Sequence, residues 1–135
     1  MNRRNARKTA LELIYEAGFH SDEDMHDFYA SSISEQELED DEFVRKLFFG
    51  VFDNLEFIDG KISENSVGWK FERLSRISLS IMRLCVYEML IPKEVAYNIA
   101  INEAVELAKA YDHDKAPKFI NGVLNTIAER EGLKT

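Results

Sequence analysis

Two clusters of residues in this sequence have the types and spacing to do chemistry. Arg3, Arg4, Arg7 and Lys8 fall in "NRRNARKTALELIYEAG", and Lys115, Lys118 and Phe119 fall in "DKAPKFINGVLN". Both stretches read as the starts of amphipathic helices. That is the unfavourable end for a cation, because a helix amino terminus carries roughly half a positive charge and four unpaired N–H groups, and each cation there costs up to about 1 kcal/mol. The same arrangement becomes favourable when an anion binds, since N–H groups, dipole and side-chain charge then act together on it. An aromatic beside such a site suits a splayed base of single-stranded RNA, whose stacking contributes about 1–3 kcal/mol. Phosphate binding with stacking at Phe119 is thus the chemistry these residues offer. Ordinary solvated surface is the alternative, and spacing alone does not bring the two helix starts together.

Other chemistry finds little footing. His20, His26 and His113 are isolated, and with Cys85 they form no metal constellation of usual spacing. His113, between Asp112 and Asp114, reads as a solvated capping loop. The single cysteine lies within the apolar run "ISLSIMRLCVYEML", which excludes an internal disulfide and fits a buried thiol in a reducing compartment. There is no glycine-rich phosphate loop, nucleophile elbow or acid pair in an apolar setting. The reading is therefore not an enzyme, with no cofactor and no metal. No stretch approaches the roughly 20 uncharged apolar residues of a membrane-spanning helix, and the basic amino terminus lacks the apolar core of a signal peptide, so a cytoplasmic protein with no membrane association is expected.

A net charge of −8 over 135 residues would ordinarily disfavour nucleic acid. Its distribution changes that inference. Residues 1–20 carry four cations against two acids, residues 21–59 two against thirteen, and residues 60–135 eleven against ten. The acidity belongs to one segment, beginning at "SDEDMHDFYASSISEQELEDDEF", and both ends of the chain remain free to present a basic face.

The elements that must position these residues are helical. Only two prolines and six glycines interrupt a pattern of mostly three-four apolar spacing. A first helix spans about Arg3 to Ala17, burying Ala10, Leu11, Leu13 and Ile14 and stopping near Gly18. A weaker second runs from about Asp22 to Ala30. Ser34 and Glu37 form a capping box expected to open a third, whose Phe43, Leu47, Phe48 and Val51 make one stripe. Leu55, Ile58 and Ile62 continue it or form a fourth. "ENSVGW" breaks the pattern and is the expected boundary between two halves, about 1–66 and 67–135, of a single domain. Trp69, Phe71 and Leu74 open the second half. Ser78 is expected to cap a helix apolar nearly all round, carrying Ile81, Met82, Leu84, Cys85 and Leu90. Pro92 ends it. A helix from Glu94 to about Tyr111 follows, with Val95, Ile99, Val105 and Ala108 on one side. Asp112 or Asp114 is expected to cap the last, in which Phe119, Ile120, Val123, Leu124 and Ile127 face inward up to Gly132. The expected architecture is all-α.

Some polar residues sit where propensity disfavours them. Asn121 and Gly122 fall mid-helix, where glycine costs about 1 kcal/mol relative to alanine. A neighbouring helix packed on the glycine, with the asparagine tying down a loop, would explain them, and so would a ligand contact. Asn102 and Glu103 in "AINEAVELAK" call for a buried hydrogen bond or an ion pair with Arg83.

Taken in order, "RRNAR…ALELIY", "F…GVFDNLEFIDGKI", "W…RLSRISLSIMRLCVYEML", "AINEAVELAK" and "KFINGVLN" resemble the bacterial NusB family of transcription antitermination factors across nearly the whole chain. The last two motifs are specific. The resemblance implies an all-α, compact NusB-like fold of about seven helices in two perpendicular small bundles. It also implies a protein that pairs with the small-subunit ribosomal protein NusE, binds boxA RNA of nascent transcripts, notably in ribosomal RNA operons, and works in antitermination complexes with RNA polymerase. Arg3, Arg4 and Arg7 match the family's arginine-rich amino terminus, with Lys8 where an acid is common. Lys118 and Phe119 match its RNA-contacting lysine and aromatic. Tyr15 and the helix near Ser78 to Met82 match the side that meets the ribosomal protein.

The chain also departs from the family pattern. Ser78 and Leu79 stand where an acidic–basic pair is usual, Lys115 and Ala116 where an acid and a serine are, and Ala96 where a proline is. The lysine should strengthen attraction to phosphate. The domain also resembles the amino-terminal part of some RNA cytosine methyltransferases, but a sequence ending at Thr135 leaves no room for their cofactor-binding domain. The competing reading is a protein-interaction module, or a homodimer, that makes no direct RNA contact; the acidic segment and the missing charges at Ser78 and Leu79 favour it.

Overall fold

A computed structural model of the chain describes every residue except Val67, Trp69 and Thr135. The described residues form seven α-helices and one 3-10 turn, with no strand: α1 (Arg3–Ala17), α2 (Met25–Glu35), α3 (Glu42–Asp53), α4 (Leu55–Asn65), the turn (Phe71–Arg73), α5 (Arg76–Leu90), α6 (Tyr97–Tyr111) and α7 (Ala116–Arg130). They divide into two compact units, Met1–Asp53 and Asn54–Thr135. The division precedes the expected break at "ENSVGW" because α4 packs on α5 and α7 and so belongs to the second unit. Trp69, expected to open the second half, lies outside the described residues.

In the first unit α1 packs on α3 and α2. Ala6, Ala10, Leu11, Leu13, Ile14 and Ala17 are buried on α1, and Val44, Leu47, Phe48 and Val51 on α3. Phe48 centres an aromatic cluster, with the rings of Phe52, Phe49, Tyr29 and Phe28 at 4.9, 5.1, 5.2 and 6.1 Å. Asn2 caps α1 by accepting from the Asn5 N–H at 2.8 Å.

The Ser34–Glu37 capping box does not form. Ser34 lies in the last turn of α2, and Glu37 takes a left-handed conformation (φ 52°) that closes the helix, with the Leu38 N–H donating to the Ile33 carbonyl at 3.0 Å and the Glu37 N–H to Ser34. Asp41 starts α3 instead, its carboxylate accepting from the Phe43 and Val44 N–H groups at 2.9 and 3.1 Å. Asp24 caps α2 in the same way, so that helix starts at Met25 rather than about Asp22 and runs on to Glu35. A clasp holds the intervening loop: Asp40 accepts from the Tyr29 hydroxyl at 3.0 Å and pairs with Arg45 at 2.8 Å.

In the second unit α5 is central, buried on nearly every side from Ser78 to Met89, Cys85 included. Ser75, one turn before the expected Ser78, caps it by accepting from the Ser78 N–H at 3.1 Å. The Arg83 guanidinium donates two 2.8 Å bonds to Asp59, tying α5 to α4, and Lys61 pairs with Glu131 at 3.1 Å, tying α4 to α7. Helix α6 starts at Tyr97 rather than Glu94, after a left-handed Lys93. Its core face is Ala100, Ile101, Ala104, Leu107 and Ala108; Ile99, expected inside, is 51% exposed. The alanines, four residues apart, let neighbouring helices approach closely along that side.

The clasp carries a pH signature. Burial, then the hydrogen bond to Asp40, push the Tyr29 hydroxyl from its ordinary value of 10.0 up to about 12. The neutral phenol is the form favoured on folding, so this stabilisation is complete below pH 10 and is lost as pH rises toward about 12. Chemical denaturation across that window should show unfolding free energy falling with pH, with a shallower fall in Tyr29→Phe.

Candidate nucleic-acid interface

On the first unit the four amino-terminal cations divide into two pairs. Arg3 and Arg7, four residues apart and thus on one face of α1, both reach the Phe43 ring of α3, with guanidinium carbons 3.8 and 5.5 Å from its centroid. Such contacts contribute about 0.5–2 kcal/mol. Arg7 is only 6% exposed, so most of its side chain is engaged in the packing of this unit. Arg4 and Lys8, also four apart, are exposed, as is Arg3. The cations at this helix start are thus partly accounted for by an aromatic on the neighbouring helix. Tyr15, half-buried further along α1, meets Phe19 edge-on at 5.2 Å, and Phe19 is 54% exposed.

The second unit holds a groove of about 260 Å³ lined by Arg73, Leu74, Ser75, Ser78, His113, Lys115 and Phe119. Three local features build it. The 3-10 turn ends in extended Leu74 and Ser75, which delivers Ser75 to the start of α5. The Asp112 side chain, 2% exposed, accepts from the Ser78 hydroxyl at 2.5 Å and from the His113 N–H at 2.8 Å, so the end of α6 is fastened to the first turn of α5. The Lys115 N–H then donates to His113 Nδ1 at 3.3 Å, which gives the neutral ring its hydrogen on Nε2.

No side chain caps α7. Lys115 occupies the cap position, Pro117 lies in the first turn, and that turn holds no acid. The expectation that Asp112 or Asp114 would cap it fails because Asp112 is committed to Ser78 and His113. Phe119, expected inside, is half-buried and lines the groove; Lys118 is exposed on the same turn.

Other expected sites are placed differently. Met82 is 0% exposed and Ser78 is buried on Asp112, so neither presents a surface to a partner protein. Arg83 is held by Asp59, and Asn102 is exposed and needs no buried bond; Glu103 is half-buried. Asn121 and Gly122 are exposed too. A Cβ added at Gly122 would meet nothing within 4 Å, so no neighbouring helix packs on it, and Asn121 ties no loop but accepts from the Asn125 amide at 2.9 and 3.0 Å. Arg73 and Ser75 were not singled out by the sequence, and Phe43 and Leu74 stood out only as apolar positions. The signal available for Ser75 was its place three residues before Ser78, the spacing at which a cap hydroxyl reaches a free N–H. Among the described residues no group of three or more His, Cys, Asp or Glu side chains could hold a metal ion, and no helix is long and apolar enough to cross a membrane.

The sequence pattern of the NusB family matches residues 4–129. The chain is 36% identical over 137 residues to the transcription antitermination protein NusB of Alkaliphilus oremlandii (strain OhILAs), covering 98% of this chain and 97% of that protein. Its fold is similar to that of T. maritima NusB, with a TM-score of 0.84 and 31% identity over 96% of this chain and 92% of that one. It is likewise similar to a chain in a crystal structure of antitermination factors NusB and NusE in complex with dsRNA, with a TM-score of 0.82 and 27% identity over 95% of this chain and 96% of that one.

Two substitutions check this geometry. Asp112→Ala leaves the Ser78 hydroxyl and the His113 N–H without their acceptor and should cost about 1–3 kcal/mol, read from urea denaturation. Gly122→Ala has open space and should stabilise the isolated protein by up to about 1 kcal/mol, read the same way.

Proposed function

The chain belongs to the NusB family, and from that premise we propose that it is an RNA-binding transcription antitermination factor. In this reading it joins NusE on boxA-type RNA of nascent transcripts, notably those of ribosomal RNA operons, within complexes that include RNA polymerase. Its work then lies in the cytoplasm, and it performs no catalysis. The observation that carries the reading is the groove at the start of α7, where Lys115, Arg73 and the Phe119 ring line one surface with no carboxylate among the lining residues. Cations there attract phosphate, and the ring offers a stacking face.

The contacts are proposed unit by unit. On the first unit Arg3, Arg4 and Lys8 take phosphates, while Arg7 holds Arg3's neighbour Phe43 in place and acts only through packing. On the second, Lys115 and Lys118 take phosphates and Phe119 stacks on a base. Tyr15, with the exposed Phe19 against its edge, is the proposed protein-partner contact; the buried Ser78 and Met82 can influence a partner only by shaping α5.

The test is a titration of single-stranded boxA-type RNA by fluorescence anisotropy at several salt concentrations, with and without NusE. Neutralising about three phosphates should give a log–log salt slope near −2. Arg4→Glu and Lys118→Glu should each weaken binding and flatten the slope. An affinity indifferent to salt and to both substitutions, in a protein that still joins NusE, would overturn RNA contact in favour of a pure protein-interaction module.

A further inference from the structure

Resting on the RNA reading, we propose that Phe43 is a positioning residue for it: the ring holds the Arg3 guanidinium ready for a phosphate. Phe43 makes no RNA contact of its own in this scheme and acts through Arg3.

The ring is fixed by its own helix. The Asp41 carboxylate accepts from the Phe43 and Val44 N–H groups at 2.9 and 3.1 Å, which pins the backbone carrying the ring at the first turn of α3. Val44 is fully buried and α3 packs on α1, so the half-buried ring of Phe43 stands beside the start of α1. There the guanidinium carbons of Arg3 and Arg7 lie over it, at 3.8 and 5.5 Å from the centroid. The first distance is van der Waals contact, and the second is close to the roughly 6 Å limit of a cation–π interaction. The closer contact thus belongs to the exposed arginine of the pair.

An exposed arginine samples many rotamers, and ordering it on a phosphate costs conformational entropy. A ring against one face of the planar guanidinium removes part of that freedom before RNA arrives. The N–H donors lie in the guanidinium plane and so keep their fork for phosphate oxygens. An aromatic partner also leaves the positive charge in place, where a carboxylate would compete with phosphate for it, and the first turn of α1 holds no acid. Arg4 follows Arg3 by about 100° around the helix and therefore lies on a different face.

The experiment is a double-mutant cycle on the full-length protein, with affinity for boxA-type single-stranded RNA read by anisotropy at several salt concentrations. Arg3→Gln should weaken binding about tenfold and flatten the salt slope, because a phosphate contact is lost. Phe43→Leu, which keeps every charge, should weaken it about threefold at an unchanged slope. The double variant should bind like Arg3→Gln alone, rather than about thirtyfold more weakly than the wild type. Phe43→Tyr keeps the ring and should bind like the wild type. A general loosening of α1 against α3 would instead add its loss to that of Arg3→Gln. Additive losses, wild-type binding by Phe43→Leu or by Arg3→Gln, or a loss in Phe43→Tyr as large as that in Phe43→Leu, overturns the proposal while leaving RNA binding intact. Failure of the wild type to bind boxA-type RNA, with or without NusE, overturns the RNA reading and the proposal with it.

Discussion

A buried carboxylate must find partners for its charge, and in the second unit that requirement falls on Asp112. With its side chain 2% exposed, it takes hydrogens from the Ser78 hydroxyl and the His113 N–H. Those two bonds fasten the carboxy-terminal end of α6 to the first turn of α5, and the rest of the groove follows from that connection. His113 is turned so that its Nδ1 receives the Lys115 N–H, α7 begins without a side-chain cap, and Phe119 reaches the groove three residues later. Removing the charge's partners would cost more than a surface ion pair contributes, which makes this corner one of the more firmly specified parts of the unit.

The two units treat the same awkward feature, cations at a helix start, by different means. In the first, Phe43 takes up the guanidinium groups of Arg3 and Arg7, so half of the cluster is neutralised in effect by an aromatic face rather than by an acid. In the second, Phe119 and Leu74 line the wall of a groove with Arg73 and Lys115. One aromatic lies under guanidinium groups of its own unit; the other lines a groove. Identity of residue type thus did not determine role, and the packing of the neighbouring helix did.

The helices themselves were legible, because apolar spacing reports a buried face directly and α1, α5 and α7 follow it. Caps were less so. Ser34, Ser78 and Asp112 each had the right chemistry for a cap, yet Asp41, Ser75 and the uncapped Lys115 took those positions, since only the fold decides which oxygen reaches a free N–H. Arg7 looked like its neighbours in sequence and differs only because Phe43 lies across from it. Gly122 reversed its expected meaning: a mid-helix glycine suggested close packing, and the space beside it is empty. The cations and the aromatic of the candidate interface were visible as types, whereas Arg73 and Leu74 entered through a tertiary approach that no local spacing announces.

Cys85, the chain's single cysteine, is 3% exposed near the middle of α5. A thiol reagent can reach it only when the surroundings of α5 open, so its modification rate would serve as an internal clock for that opening, without any engineered label. Because α5 also carries Ser78 at its first turn, the same thiol could register whether an occupant of the groove tightens the helix behind it.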